Sequence, residues 1–163
     1  MKRVLVIGCP GSGKSTFSRA LHKKTGLPLY PLDLLYWNAD RTTVSREIFV
    51  ERLQEVLAKD AWIIDGNYAS TLALRLSACD TVFFFDLPLQ DCLDGLAARK
   101  GKPRPDLPWI EPMDEEDEAF LSFVRNYRAA TRPTVLALLE RHPEKRTVIF
   151  TSHKESDHFF DML

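Results

Sequence analysis

Residues 8–15 read GCPGSGKS, and the chain on either side of them shows what kind of turn they form. The four residues before them, VLVI at 4–7, are a continuous apolar run that ends at a glycine, which is typical of a strand buried on both faces. After them, Phe17 and Leu21 recur at helical spacing until Gly26 ends the pattern. GCPGSGKS is therefore predicted to connect a buried strand to a helix.

The stretch has the spacing G-x-x-x-x-G-K-[ST], which has a chemical reason. Gly11, Ser12 and Gly13 allow successive backbone N–H groups to point into one concavity that wraps phosphate oxygens. Lys14 would place a cation on the β- and γ-phosphates, and the Ser15 hydroxyl can coordinate Mg²⁺. The spacing implies ATP or GTP with Mg²⁺, bound by Gly8, Pro10, Gly11, Ser12, Gly13, Lys14, Ser15 and Thr16. A glycine-rich turn with an incidental lysine is the alternative.

The rest of the chain alternates short apolar runs with amphipathic patterns. Strands are predicted at 29–32, 62–64, 81–85 and 147–150, and helices at 45–59, 72–76, 90–99 and 114–142, with a last helix that opens at the S-x-x-E box of residues 152–155. The long helix has an acidic first turn at 114–117, and Pro133 must kink or divide it. This alternation predicts a three-layer α/β/α sandwich with a five-stranded parallel sheet, in a single domain over residues 1–163.

Composition narrows the class of protein. The chain carries 22 basic and 23 acidic side chains, a net charge of −1, which argues against nucleic acid as a partner without excluding a local basic patch. Cys9, Cys79 and Cys92 fit no zinc spacing and are expected to be free thiols in a reducing cytosol. No apolar run approaches the ~18 residues of a membrane span, and the run at 4–7 is too short for a secretion signal. A cytoplasmic location is expected.

Several classes of nucleotide-binding protein share the spacing of residues 8–15. A GTPase should also carry a guanine-reading N-K-x-D tetrapeptide after a later strand, and this sequence contains none. Motors and transporters are much longer than this chain, which leaves little room beyond a minimal fold. These exclusions favour a small-molecule kinase.

Several stretches together carry a resemblance to a known family. They are GCPGSGKSTFSRAL at 8–21, LDLLYW at 32–37, WIIDGNY at 62–68, YRAATRP at 127–133 and FTSHKE at 150–155, together with an arginine-rich loop. With them the chain resembles the adenylate-kinase-like P-loop kinases, and more narrowly the family of DNA topology modulation proteins, the FlaR-like P-loop kinases. The resemblance implies a P-loop NTPase fold with a lid segment. The name of that family records a genetic association and does not establish a reaction.

Three acids follow predicted strands, where ligands of parallel sheets bind. Asp65 matches the acid that supports Mg²⁺ through water in adenylate-kinase-like enzymes, although Asp-Gly is also a favoured turn dipeptide. Asp86 is the rival metal ligand, but the resemblance implies no metal role for it. Asp33 is where kinases of small hydroxylated substrates hold or deprotonate the acceptor hydroxyl. A helix N-cap is the alternative for Asp33.

The acceptor side is expected around the helical region at 37–60. Tyr36 and Trp37 would form an aromatic wall for a base or a sugar, and core packing is the alternative for both. Three further residues lie where related nucleotide kinases bind the acceptor: Asn67, Tyr68 and Arg75. Of these, Arg75 is the candidate for binding an acceptor phosphate, with a surface role as its alternative.

The basic, proline-rich segment at 99–113 resembles the lid of these enzymes. A lid closes over ATP, excludes water and brings arginines onto the transferred phosphoryl group, and Arg99 and Arg104 are the candidates. A solvated surface loop is the alternative. The segment shows no recognisable zinc cluster, and the chain lacks the D-G-F-P-R string of true adenylate kinases.

Three arginines follow the predicted lid at i, i+3 and i+7, so one helix face would carry Arg125, Arg128 and Arg132. Adenylate-kinase-like enzymes place further catalytic arginines here, and Arg128 is the first candidate; a solvated face is the alternative. The scattered histidines fit no metal pattern and are expected to be surface or packing residues: His22, His142, His153 and His158.

These observations predict an ATP-dependent phosphotransferase with Mg²⁺ as cofactor. The acceptor would be a small hydroxylated molecule: a nucleoside, a nucleotide or a polyol. The alternative is a nucleotide-binding regulatory protein that influences DNA topology without small-molecule kinase activity. A third hypothesis, an ATP-binding pseudoenzyme, is weakened by the presence of Lys14, Ser15 and Asp65 together.

Overall fold

The computed structural model describes residues 1–113 and 117–163. Within them, the strands are β1 Arg3–Gly8, β2 Leu29–Pro31, β3 Trp62–Asp65, β4 Thr81–Phe85 and β5 Arg146–Phe150. They form one parallel sheet in the order β2-β3-β1-β4-β5. The predicted α/β architecture with a five-stranded parallel sheet is confirmed for the described residues.

Helices connect the strands and surround the sheet. They are α1 Lys14–Thr25, α2 Leu32–Tyr36, α3 Arg46–Leu57, α4 Leu72–Ala78, α5 Leu89–Arg99, α6 Glu118–Asn126, α7 Arg132–Glu140 and α8 His153–Met162. Their ends follow the local sequence signals: Gly26 closes α1 at a φ of 74°, and the Ser45 side chain caps α3. The box at 152–155 also caps α8, because the Ser152 side chain accepts from the Glu155 N–H.

The central strand shows how the sheet is buried on both faces. Leu5 and Ile7 of β1 pack with the apolar side chains of α3, α4 and α7 on one face. Val4 and Val6 point the other way and pack with α1, α5, α6 and α8. Because both faces are covered, β1 is apolar without alternation, as the sequence of residues 4–7 predicts.

The order of the strands determines where a ligand can bind. β1 lies between β3 and β4, so the chain builds one side of the sheet first and then crosses to the other side. The register aligns Val6 with Asp65 and Gly8 with Phe85, so the loops that follow these strands meet at one edge. Open parallel sheets bind ligands at this edge, where the strand order reverses.

Two predicted elements differ from the structure. The strand predicted at 29–32 ends at Pro31, and Leu32 begins α2, so Asp33 lies in the first turn of that helix and is not its N-cap. The apolar character of Leu32 suits either element, which is why the pattern placed it in the strand.

The helix predicted at 114–142 consists of α6 and α7, joined by the π-helical turn Tyr127–Thr131. The Arg132 N–H donates to the Tyr127 carbonyl five residues back, and Pro133, which has no N–H to donate, follows it in the first turn of α7. The predicted acidic first turn falls largely on residues 114–116, which lie outside the described residues. Among the described residues, no helix has the length and apolarity that crossing a bilayer requires.

Candidate active site

The loop between β1 and α1 keeps its shape through glycines. Gly8, Gly11 and Gly13 have positive φ angles of 145°, 81° and 94°. Gly11 is the most constrained of these, because a Cβ there would lie 2.1 Å from the Cys92 carbonyl oxygen of α5. No side chain among the described residues caps the start of α1. The first N–H groups of that helix therefore remain for an anion held by the loop.

The loop encloses a buried cation. Lys14 is only 8% exposed, and its Nζ donates to the Cys9 carbonyl oxygen at 3.0 Å. Burial lowers the pKa of Lys14, while the attraction of the Asp65 carboxylate opposes that change. The Ser12 hydroxyl is also buried, without a hydrogen-bond partner among the described residues. Buried polar groups normally have partners, so this cation and this hydroxyl fit the phosphate oxygens of a nucleotide.

The Ser15 hydroxyl lies near two carboxylates. It donates to Asp106 Oδ2 at 3.1 Å, and its proximity to Asp65 favours the charged form of that carboxyl and so lowers its pKa. Burial raises the pKa of Asp65 to about 6, and the nearby Lys14 ammonium opposes the shift. In the described part of the chain, no cluster of three or more His, Cys, Asp or Glu residues is arranged for a metal. Mg²⁺ commonly takes one or two carboxylates and completes its shell with water and phosphate, so Ser15 and Asp65 fit it.

Asp106 is a site residue that the sequence analysis missed. It is 4% exposed and lies between two arginines, with Arg19 Nη1 3.4 Å from Oδ1 and Arg104 Nη1 3.5 Å from Oδ2. Through its bond to Ser15, it holds the segment predicted as a lid against the loop that follows β1. The sequence shows Asp106 as an acidic residue within the basic segment at 99–113, but no spacing rule connects Asp106 with Ser15.

Arg99 and Arg104, the predicted phosphoryl-binding arginines, share one acidic partner. Arg99 Nε lies 3.2 Å from Glu111 Oε1, and Arg104 Nη2 lies 2.9 Å from the same oxygen. The Gly101 N–H also donates to the Glu111 carbonyl at 2.6 Å, which closes the segment into a loop. The Arg104 side chain is 14% exposed, so the alternative of a fully solvated loop does not describe this segment. Closure of the segment over a nucleotide stays a prediction.

Asp33 lies opposite the loop, in a setting of aromatic rings. The Tyr68 hydroxyl donates to Asp33 Oδ1 at 2.6 Å. Burial raises the pKa of Asp33, and the Tyr68 hydrogen bond opposes the shift. Tyr36 lies against Tyr68 with ring centroids 5.2 Å apart, and Trp37 lies against Trp109 at 5.0 Å. The sequence analysis missed Trp109, because nothing in the chain near residue 109 indicates a partner at residue 37.

The prediction that Arg75 binds an acceptor phosphate is corrected by its surroundings. Its side chain is fully buried, and it donates to the Gly66 and Tyr68 carbonyl oxygens at 3.0 Å each and also to the Asn67 carbonyl. Burial lowers the pKa of Arg75 to about 10. Because its donors are used on the backbone of 66–68, Arg75 positions this turn. The Asn67 side chain accepts from the Gly8 N–H at 3.1 Å, which ties the turn to the loop after β1.

Of the three arginines that were predicted to share one helix face after the lid, Arg128 and Arg132 both approach Asp86. Arg132 Nε donates to both oxygens of Asp86, at 2.8 and 3.0 Å. Arg128 Nη1 lies 3.7 Å from Asp86, its side chain is 52% exposed, and it is not among the residues that line the cavity described below. Arg125 is exposed. Asp86 is thus engaged by Arg132 and does not line the cavity, whereas Asp65 does. A phosphate contact of Arg128 stays a prediction.

His153 has a contact that the sequence analysis did not anticipate. Its Nε2 lies 3.0 Å from the Ser12 carbonyl oxygen, and because a carbonyl can only accept, this nitrogen carries the proton. The first turn of α8 therefore supports the loop after β1 from the other side of the sheet edge. His153 is thus a packing residue that holds the backbone of the loop after β1 through this hydrogen bond.

One cavity of about 640 Å³ joins these groups. Its wall includes most of the predicted site residues: Pro10, Lys14, Ser15, Asp33, Trp37, Asp65, Asn67, Tyr68, Arg99 and Arg104. We call residues 8–16 with Asp65 the loop end, and we call the part of the wall formed by Asp33, Tyr36, Trp37, Tyr68 and Trp109 the aromatic end. Thr16 of the loop end is exposed and accepts from Arg19 at 3.4 Å.

Comparison of the chain with models of protein families and with curated proteins gives no match. The chemistry of the cavity therefore has to follow from the residues that line it.

Proposed function

We propose that the protein is an adenylate-kinase-like P-loop kinase that transfers the γ-phosphoryl group of ATP to a hydroxyl group of a small acceptor. One observation carries the proposal: the wall of a single cavity includes both the buried Lys14 of the glycine loop and the carboxylate of Asp33. Phosphoryl transfer needs a cationic cradle for the donor and a group that orients the attacking hydroxyl. The two ends supply these two requirements.

The loop end would hold the donor. The Lys14 ammonium and the first N–H groups of α1 would bind the β- and γ-phosphates, which satisfies the buried cation. Mg²⁺ held by the Ser15 hydroxyl and, through water, by Asp65 would neutralise charge on the same phosphates. Arg99 and Arg104 line the cavity and would stabilise charge that develops on the transferred group.

The aromatic end would hold the acceptor. Tyr68 keeps Asp33 in place by donating to one of its carboxylate oxygens, so the other oxygen can accept from the acceptor hydroxyl. The acceptor oxygen then forms a bond to the γ-phosphorus while the bond from that phosphorus to the leaving oxygen of ADP breaks. The proton of the hydroxyl passes to Asp33. The raised pKa of Asp33 suits this proton transfer, because a more basic carboxylate takes a proton more readily.

The test is release of ADP from ATP and Mg²⁺ in the presence of nucleosides, nucleoside monophosphates and sugars. We expect at least one acceptor to stimulate release, and we expect Lys14→Ala to lower that rate roughly 100- to 1,000-fold. The matched control is Lys23→Ala, which removes an exposed lysine from the same helix and should leave the rate unchanged. Circular dichroism shows whether each variant is folded.

Undiminished transfer by a folded Lys14→Ala variant would reject this mechanism. ATP binding without stimulation by any acceptor, together with a salt-dependent and ATP-dependent shift of DNA in a gel, would instead favour the regulatory alternative.

A further inference from the structure

Resting on the proposed function, we infer that the acceptor is an uncharged molecule of the nucleoside class, in which a planar ring carries a hydroxylated group. Trp37 and Trp109 would hold the ring, and Asp33 would hold the hydroxyl group. The inference depends on three properties of the aromatic end: where its rings lie, which charges it carries and how many hydrogen-bonding groups it has left.

The two indoles lie outside the two buried clusters that form the core of the described residues. Tyr36 and Tyr68 do pack against the core, so the alternative of core packing holds for Tyr36 and does not hold for Trp37. Trp37 and Trp109 are half-buried and line the cavity, with ring centroids 5.0 Å apart and planes inclined at 75°. Aromatic rings held in a cavity in this way are a surface on which a planar ligand can stack.

The two indoles come from different segments and meet only in the folded chain. Trp37 follows α2, and Trp109 belongs to the segment predicted as a lid. Arg41 lies over the Trp109 ring at 5.6 Å, on the approach from the loop that follows Trp37. A ligand ring in contact with both indoles would tie the lid segment to the acceptor side, so recognition of the ring and closure of the segment would occur together.

The charges of the aromatic end argue against a phosphorylated acceptor. Asp33 contributes a carboxylate, and a phosphate monoester would bring about two further negative charges beside it. Arg75, the cation expected here, is buried and donates to the backbone of 66–68. Arg99 and Arg104 line the cavity too, but the proposed function assigns them to the transferred phosphoryl group, so they are not counted for the acceptor. Arg41 lies over the Trp109 ring, and the Arg41→Ala variant below tests whether it binds a phosphate. An uncharged acceptor avoids the repulsion from Asp33 and needs none of these arginines.

The remaining hydrogen-bonding groups argue against a sugar or an open polyol. The Tyr68 hydroxyl donates to Asp33, and the Asn67 side-chain oxygen accepts from Gly8. A hexose would bury several hydroxyl groups here, and each one without a partner costs on the order of 1–3 kcal/mol. One hydroxyl can be satisfied by the second oxygen of Asp33. A nucleoside fits this balance better than a hexose, because its planar base meets the aromatic rings and only its sugar brings hydroxyl groups.

Equilibrium binding without ATP tests the inference apart from catalysis. Quenching of tryptophan fluorescence and isothermal calorimetry would be recorded with adenosine, guanosine, cytidine and thymidine, with their 5′-monophosphates, and with glucose. We expect at least one nucleoside to bind about 10-fold more tightly than its monophosphate, with no binding of glucose. Trp37→Ala and Trp109→Ala should each weaken that binding about 10-fold, as loss of one stacking ring does. Trp37→Phe and Trp109→Phe keep a ring, so they should recover most of the affinity.

Three outcomes would overturn the inference. The first is tighter binding of monophosphates than of nucleosides, above all if Arg41→Ala removes the preference. The second is binding of glucose, or of nucleosides with an affinity that folded Trp37→Ala and Trp109→Ala variants retain. The third is no binding of any of these compounds.

The inference and the proposed function fail separately. ADP release stimulated by a monophosphate or a sugar would support the proposed kinase activity but contradict a nucleoside acceptor. Tryptophan-dependent nucleoside binding without any acceptor-stimulated ADP release would contradict the kinase activity but support the nucleoside site.

Discussion

The loop end and the aromatic end of the cavity are built by opposite means. The loop end comes from one continuous segment, residues 8–16, to which β3 adds only Asp65, and it buries charge: Lys14 and Asp65 are 8% and 5% exposed. The aromatic end is assembled from three separate segments, around residues 33–37, 68 and 109, and its side chains hold one another by ring contacts. Backbone shape therefore defines one end of the cavity, and side-chain packing defines the other.

This difference separates the binding of phosphate, which is a general requirement, from the binding of one particular acceptor. A phosphate group is recognised by N–H groups and a cation, and a rigid turn of glycines supplies these in any chain that folds this way. An acceptor is recognised by shape, and the aromatic end can change its shape through single side chains without disturbing β1 or α1. Substitutions at the two ends should therefore differ in kind, and four predictions test that expectation.

Gly11→Ala should have the largest effect on stability, about 4 kcal/mol, because it combines a left-handed backbone with a steric clash. Its φ is 81°, and the new Cβ would lie 2.1 Å from the Cys92 carbonyl oxygen. Gly26→Ala is the matched control: its φ is 74°, but a Cβ there meets nothing within 4 Å, so it should cost about 1 kcal/mol. Urea denaturation measures the free energy of unfolding of both variants. Equal losses would mean that the loop end is not packed rigidly against α5.

The ionised form of Asp65 should destabilise the ligand-free protein. Its pKa in the folded state is about 6, above the ordinary value of 3.8, so between these pH values the folded state keeps a proton that the unfolded state has lost. Relative to Asp65→Asn, the free energy of unfolding of the wild type should therefore fall as pH rises from about 4 to 6.5, by about 3 kcal/mol.

Thermal unfolding of both proteins across this pH range measures that difference. Asp161→Asn, at an exposed position, should follow the wild type throughout. If the curves of Asp65→Asn and the wild type run parallel instead, the loop end does not bury an unsatisfied charge.

Asp33→Asn should affect transfer without affecting the donor. We expect acceptor-stimulated ADP release to fall about 100-fold, since the amide cannot take the proton, while the Kd of ATP changes less than about 3-fold. Tyr68→Phe removes only the hydrogen bond that positions Asp33, at 2.6 Å, so its loss should be nearer 10-fold. The pH profile of the rate distinguishes the Asp33→Asn variant from the Tyr68→Phe variant, because only Asp33→Asn removes the titrating base. A parallel loss of ATP affinity in Asp33→Asn would show that the two ends are not independent.

Most of the fold could be predicted from the sequence, because the strands that determine it are continuous apolar runs. β4 coincides with its prediction at 81–85, and β1 differs from its run at 4–7 by one residue at each end. The end of β2 was misplaced, since Leu32 suits both a strand and the first turn of a buried helix. Local pattern identifies elements, and tertiary packing determines where short ones end.

The loop end was predictable for the same reason, since its spacing lies within eight consecutive residues. Arg75 was misassigned because a charged residue suggests a ligand, whereas its burial depends on three carbonyl groups that turn inward at 66–68. Asp106 and Trp109 lie far along the chain from Ser15 and Trp37, so only the folded structure brings each pair together.

The smallest predicted effect concerns the segment that touches both ends. Asp106 accepts from Ser15 at the loop end, and Trp109, three residues on, contacts Trp37 at the aromatic end. Asp106→Ala removes the buried acceptor of the Ser15 hydrogen bond, together with longer contacts to Arg19 and Arg104, and should lower the free energy of unfolding by about 1.5 kcal/mol. Asp94→Ala, which removes an exposed acid from α5, should change it by less than about 0.5 kcal/mol.

Hydrogen exchange would show whether the two ends close together. If the Ser15 contact holds the segment, Asp106→Ala should speed exchange of the amides at 101–109 and also weaken ligand binding at Trp109, although Asp106 is not part of the aromatic end. Unchanged exchange would mean that the pairing of Arg99 and Arg104 with Glu111 keeps the segment in place by itself. In that case each end of the cavity would bind its ligand independently of the other end.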